Sequence, residues 1–255
     1  MSRIIKYITI HFRLTNLLLG LNIILFILSL ILSNTLGGNL NYALLFMGAD
    51  YTPFVLNGEV WRMITSSFLQ GGILHLFLNM YALLIVAGFI EKFFGRRKLL
   101  TIYVFSALFG SIASLLGNVF EFWSNGGVGV IQSISVGASG AIFGMVGVLL
   151  GNRAKRSIYE PQLGVDSQQL VSIVVYNMLI GIVVNLIGGG SYINIWAHFG
   201  GLIGGFILGL LVSSINSFYI PRWRKILEKI LFVLAVVILA GSFIAQLIFI
   251  ISNLY

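Results

Sequence analysis

Four polar side chains stand out in a chain that is otherwise poor in them: His75 and Asn79 in HLFLNM, Ser139 in VGASGAIFG, and His198 in AHFGGLIGG. A serine hydroxyl is a weak nucleophile until a base takes its proton, and imidazole, with a reference pKa of about 6.5, suits that role. Acyl transfer also needs hydrogen-bond donors aimed at the oxyanion that develops during attack. His75 and Asn79, at i and i+4, project from one helical face and can converge on that oxygen together with the Ser139 backbone N–H. A Ser139–His198 dyad is expected, because Asp50, Glu59, Glu91, Glu121, Glu160, Asp166 and Glu228 all fall in loops or at the ends of apolar stretches. Spacing alone leaves His75 open as an alternative base. Singly, each of these residues reads as a packing or interfacial group; it is their company that suggests chemistry.

The elements that must position them are membrane helices. Of 255 residues 58% are hydrophobic and 9% charged, with a mean hydropathy of +1.03, far from the composition of a soluble domain. A spanning helix needs about 20 apolar residues. Seven stretches qualify, at 15–33, 72–90, 99–117, 134–151, 169–187, 196–214 and 230–251. The fold class is therefore an all-α polytopic membrane bundle. Spans two, four and six run in the same direction, so His75, Asn79, Ser139 and His198 all lie near helix beginnings in one leaflet, about one to two turns deep at roughly 1.5 Å per residue. Polar groups at such depth usually face a bundle interior or a watery cavity.

The net charge of +8 is an orientation signal rather than a nucleic-acid footprint. Arg3, Lys6, Arg13, Lys92, Arg96, Arg97, Lys98, Arg153, Lys155, Arg156, Arg222, Arg224, Lys225 and Lys229 fall on one side of a seven-span layout, with Arg62 opposite. By the positive-inside rule that side, with the N-terminus, is cytoplasmic, and a bacterial plasma membrane is the expected location. The lipid bilayer is one partner, with anionic headgroups as a secondary attraction. Cysteine is absent, so no thiol nucleophile exists, and the sequence carries neither HExxH nor paired intramembrane aspartates; no metal or cofactor is expected.

Three regions result: a cytoplasmic segment 1–14, a six-span core 15–215, and a cytoplasmic connector with a seventh helix over 216–255. Gly137, Gly140, Gly144, Gly147 and Gly151 alternate at three and four, which would put all five on one helical face. Gly201, Gly205 and Gly209, with Gly200 and Gly204, follow His198. Small-residue faces allow close helix approach in lipid, so spans four and six should pack together and make Ser139 and His198 neighbours. The loop 34–71 should lie at the membrane surface, and the glycine-rich segment 188–196 is a candidate for movement.

These residues resemble the rhomboid intramembrane serine proteases, through GEVWRMITSSFLQGGILHLFLNM, the ExxxGRR element at Glu91–Arg97, GASGAIFG and AHFGGLIGG, in that order. The resemblance implies Ser139 as nucleophile, His198 as base, His75 and Asn79 as oxyanion stabilisers, and Trp61–Arg62 as a structural feature of the first outside loop. Gly137, Gly140 and Gly201 would support the site through close packing. It also implies a six-helix catalytic core, transmembrane proteins as substrates, a small residue before the cut and helix-breaking residues nearby. Two positions depart from common family patterns. Gln70 stands where many members carry His, a change read here as neutral. Phe143 stands where a tyrosine often packs against the base, which leaves an aromatic face without its hydroxyl. A catalytically silent, membrane-protein-binding relative is the alternative; a transporter would call for broken helices or inverted repeats, which are not evident. Oligomeric state is not legible.

Overall fold

The computed structural model describes residues 13–127, 134–155, 194–215 and 217–254; the expected fifth span, the polar segment before it and most of 188–196 lie outside the described residues. In chain order the elements are α1 (Arg13–Thr35), α2 (Leu40–Phe46), β1 (Asp50–Tyr51), α3 (Thr52–Leu56), α4 (Arg62–Thr65) with a 3-10 turn at Ser66–Phe68, α5 (Ile73–Phe94), α6 (Arg96–Ser124), β2 (Ile134–Ser135), α7 (Ser139–Ala154), α8 (Ile195–Leu211) and α9 (Arg222–Leu254). Among the described residues α1, α5, α6 and α9 are long and apolar enough to cross a membrane, and α8 is a shorter apolar helix. The helical, multi-span class expected from composition is what is observed.

With lipid as solvent, apolar residues also face outward, and polar ones join the apolar core. On α1, Leu17, Ile24 and Ile31 recur every seven residues and are exposed, while Thr15, Leu18, Asn22, Phe26, Ser29 and Ser33 are buried. Hydrocarbon offers polar groups no partners, so they turn inward and bond there. Glu91 illustrates the gain. Its carboxylate accepts from the backbone N–H of Leu14 (3.2 Å) and Thr15 (2.9 Å) and from the Thr15 hydroxyl (2.7 Å), capping the free donors at the start of α1 with a negative charge. Arg96 Nε completes the cluster at 3.2 Å. The α5–α6 turn between them needs Gly95, at φ +83°.

Span four differs from the expected 134–151 helix. It is helical only from Ser139, because Asp50 and Tyr51 pair antiparallel with Ser135 and Ile134, and Gly137, at φ +131°, donates its N–H to the Ser66 carbonyl at 3.0 Å. Gly137 therefore does not share a helical face with the later glycines. Gly144, Gly147 and Gly151 do, and they meet α8 backbone to backbone. A Cβ on Gly205 would fall on the Gly144 carbonyl, one on Gly209 on the Val148 carbonyl, and one on Gly151 on the Phe206 carbonyl. Gly200 and Gly204 serve another neighbour, lying against Phe109 and Ala113 of α6.

Helix α9 begins eight residues before its hydropathy stretch and is pinned at both ends. At its start Glu228 accepts from Ser213 N (2.7 Å) and Oγ (2.6 Å) and pairs with Lys98 at 3.0 Å. Toward its end Gln246 accepts from Trp61 Nε1 (2.9 Å) and donates to the Phe46 carbonyl (2.8 Å). Arg62, fully buried, donates Nη1 to the carbonyls of Leu45 (2.6 Å) and Ala49 (3.1 Å) and Nε to Glu59 (2.6 Å), with its guanidinium 4.9 Å from the Phe54 ring and 5.2 Å from that of Phe249. The loop between α1 and α5 is thus a packed structure tied to the last helix.

Two stability predictions follow from these contacts. Gly205→Val should lower the detergent melting temperature sharply, because overpacking against rigid backbone exceeds the ~1–3 kcal/mol typical of a core that can relax. Gly241→Ala, with nothing within 4 Å, should leave it unchanged or raise it slightly. Asp50 provides the second. Burial raises its pKa from 3.8 to about 6, against smaller opposing effects of the Ser111 hydroxyl and Arg62. The folded state then holds this proton more tightly than the unfolded chain, so stability should fall as pH rises from about 4 to about 6. Asp50→Asn should flatten that slope in thermal melts.

Candidate active site

Helix packing brings the ends of α5, α7 and α8 together. Ser139 is the first residue of α7, and its Oγ lies 2.9 Å from Nε2 of His198, the fourth residue of α8. The glycines beside them explain that distance. Gly140 directly follows the serine and Gly201 is one turn beyond the histidine; a Cβ on Gly201 would occupy the Gly140 carbonyl oxygen, and one on Gly110 of α6 would lie 2.9 Å from the Ala197 carbonyl. No larger residue at 201 leaves the two backbones this close.

The His198 ring is held on one face by Phe143, with centroids 4.3 Å apart and planes at 12°. Phe143 is one turn beyond Ser139, so the element that carries the hydroxyl also carries the ring's support. Among the described residues Nδ1 of His198 has no hydrogen-bond partner, and no carboxylate lies against it. The start of α8 is fixed by Asn194, which caps the helix by accepting from Ala197 N at 3.0 Å and donates Nδ2 to Ser114 (2.5 Å) and Ser135 (3.1 Å). Asn194 thereby joins α8 to α6 and to β2, the strand that leads into Ser139.

His75 and Asn79 approach from α5. Nδ1 of His75 accepts the Gly71 backbone N–H at 3.1 Å; a backbone amide can only donate, so in the neutral ring the proton resides on Nε2. That Nε2 lies 2.9 Å, and Asn79 Nδ2 3.3 Å, from where Gly137 would carry a Cβ. The missing side chain leaves space beside both donor nitrogens, two residues before Ser139. Asn79 is buried and donates Nδ2 to Gln70 Oε1 at 2.8 Å; Gln70 Nε2 in turn donates to Asn22 Oδ1 at 2.8 Å.

All ten residues singled out in the sequence are therefore placed. Ser139, His198, Phe143, His75, Asn79, Gly137, Gly140 and Gly201 meet in one region; Trp61 and Arg62 lie away from it in the α1–α5 loop, braced by α9. Sequence reasoning missed Asn22 and Asn194, and read Gln70 as neutral. Asn22 had a visible signal, a lone amide in the middle of an apolar span, and Asn194 had the spacing of a helix cap ahead of Ala197. Gln70 stood out as a departure from the family pattern, but what it faces is visible only in the structure. Among the described residues no cluster of three His, Asp or Glu could hold a metal ion.

Comparison with known proteins places the chain in a family. The family model described as the Rhomboid domain matches residues 57–215. RHOMBOID-like protein 5 of Arabidopsis thaliana is 34% identical over 182 residues, which cover 69% of this chain and 53% of that protein. Rhomboid-like protease 3 of Toxoplasma gondii is 29% identical over 205 residues, 80% of this chain and 71% of that one. Rhomboid protease GluP of Bacillus subtilis is 33% identical over 172 residues, 67% of this chain and 30% of its own length. The chain thus spans about half of the plant relative and under a third of the Bacillus one, and relatives from a plant, Toxoplasma and a bacterium do not select the bacterial membrane expected from the sequence. A matched domain over more than half the chain, in a protein with several membrane-length apolar helices, makes this an integral membrane protein that belongs to the rhomboid family.

Proposed function

We propose that the chain is an intramembrane serine endopeptidase that hydrolyses peptide bonds in or near transmembrane segments of other proteins. The observation that carries this reading is the 2.9 Å approach of Ser139 Oγ to His198 Nε2, beneath a glycine contact that costs the helices any side chain at that level. Protease names among the relatives in Toxoplasma and Bacillus agree with it.

In this reading His198 Nε2 takes the Ser139 proton as Oγ attacks the scissile carbonyl. The negative charge on that oxygen is met by the His75 Nε2–H, by Asn79 Nδ2–H and by the Ser139 backbone N–H, which as an early helical donor lacks an intrahelical acceptor. His198 then returns the proton to the leaving amine, and water hydrolyses the acyl-enzyme through the same base. Phe143 orients the imidazole by stacking, in place of a hydrogen-bonded carboxylate. A substrate helix must unwind locally to offer its carbonyl, since in an intact helix that oxygen is already bonded and shielded. The basic residues that gather at one end of the bundle support an N-terminus in the cytoplasm, with the site then opening to the opposite face.

The test is co-expression with a panel of tagged single-span membrane proteins, alongside labelling by a fluorophosphonate in detergent. Cleavage and labelling are expected from the wild type and from neither Ser139→Ala nor His198→Ala. Labelling that persists in Ser139→Ala would remove the nucleophile, and a wild type without Ser139-dependent cleavage would leave the non-catalytic, membrane-protein-binding alternative. Gly137→Ala should lose about two orders of magnitude in rate, comparable to deleting an oxyanion donor, because its methyl would meet the His75 ring 2.8 Å away and because alanine is strained at φ +131°; a melting temperature taken in parallel separates that strain from the effect on rate.

A further inference from the structure

We infer that Gln70 and Asn22 are positioning residues that fix which end of the Asn79 amide faces the oxyanion. The inference rests on the proposed protease reading and goes beyond it, since neither residue reaches the reacting atoms. It also reverses the neutral reading of Gln70 made from the sequence.

The direction of the relay follows from one backbone group. The Leu18 carbonyl can only accept, and Asn22 Nδ2 donates to it at 2.8 Å. Asn22 must then turn Oδ1 toward Gln70, whose Nε2 donates to it at 2.8 Å. Gln70 is left with Oε1 toward Asn79, and Asn79 answers with Nδ2 at 2.8 Å. Asn22 and Gln70 are fully buried and Asn79 nearly so, so each link is made by its protein partner rather than by bulk water. An amide can normally turn over by 180° at little cost; here the reversal of Asn79 would set its oxygen against Gln70 Oε1, and correcting that would reverse every amide back to a carbonyl that cannot donate. One Asn79 N–H is spent on Gln70. The other is thereby held on the side of Gly137, 3.3 Å from the position of its absent Cβ. A reversed Asn79 would present a carbonyl oxygen to a developing oxyanion and repel it.

The relay predicts non-additivity. The full-length protein in detergent is labelled with a fluorophosphonate, and the inactivation rate at saturation is separated from the half-saturating concentration. Gln70→Met keeps length and burial without the hydrogen bonds; it should lower the saturated rate roughly tenfold, short of the 10²–10³ lost with a whole oxyanion donor, with the half-saturating concentration unchanged. The decisive comparison is with Asn79→Ala. Once Asn79 is gone its orientation no longer matters, so Gln70→Met/Asn79→Ala should label within about twofold of Asn79→Ala. Asn22→Leu, on a different helix, supplies a second cycle with the same expectation should Gln70→Met fail to fold. Melting temperatures, taken in parallel, keep all rates well below unfolding. Wild-type rates in both relay variants, or losses that multiply in full with Asn79→Ala, would overturn the relay while leaving Ser139-dependent labelling intact. Full-rate labelling of Asn79→Ala would remove the oxyanion role of Asn79 and the relay with it; labelling that survives Ser139→Ala would strike the protease reading itself.

Discussion

The contact on which the rest depends is backbone against backbone, between α7 and α8. In hydrocarbon, helices gain nothing from burying apolar side chains against one another, so close association requires surfaces that pack without gaps and let weak interactions accumulate. Gly144, Gly147 and Gly151 meeting Gly201, Gly205 and Gly209 provide such a surface. Its upper end is Gly140 against Gly201, one residue beyond Ser139 and one turn beyond His198. The same contact that holds the bundle together therefore sets the distance between hydroxyl and imidazole, and stability and geometry cannot be altered independently along this seam.

A second constraint comes from polar groups that must be satisfied away from water. The protein meets it by concentrating them at a few joints. Glu91 caps α1 and holds Arg96; Glu228 gathers Ser213 and Lys98; Gln246 joins Trp61 to the Phe46 carbonyl; Asn194 ties α8 to α6 and β2. Each joint connects elements distant in sequence. The α1–α5 loop, lacking a long helix of its own, depends most on them. Arg62 is buried at its centre, α9 supports one side, and its Ser66 carbonyl receives Gly137, so a chain of direct contacts runs from the last helix to the residues just before Ser139.

Much of this was legible in the sequence. Among the described residues hydropathy marked where the long helices run, because bilayer thickness dictates their length, parity assigned four polar residues to one leaflet, and the three-and-four spacing of glycines from 140 to 151 marked the α7 face. The pair of helices that must meet could be named from those faces alone. Gly137 was misassigned to the same face, since spacing cannot reveal that a β pairing and a positive φ precede the helix. The start of α9 was set eight residues late because hydropathy reports the hydrocarbon-embedded part of a helix, while its amphipathic first turns, with Arg222, Lys225 and Glu228, register as loop.

What the sequence by itself determined was the solvent, the number of apolar stretches and the chemical groups available, because those follow from composition and from periodicities of a few residues. Tertiary structure alone decided which way each of those groups points. The proton position on His75 is set by the Gly71 amide, the face of His198 by Phe143, and the direction of the Asn79 amide by Asn22 and Gln70 on other segments. Orientation is a property of partners, and partners forty-eight residues apart, as Gln70 and Asn22 are, are joined only when the bundle closes.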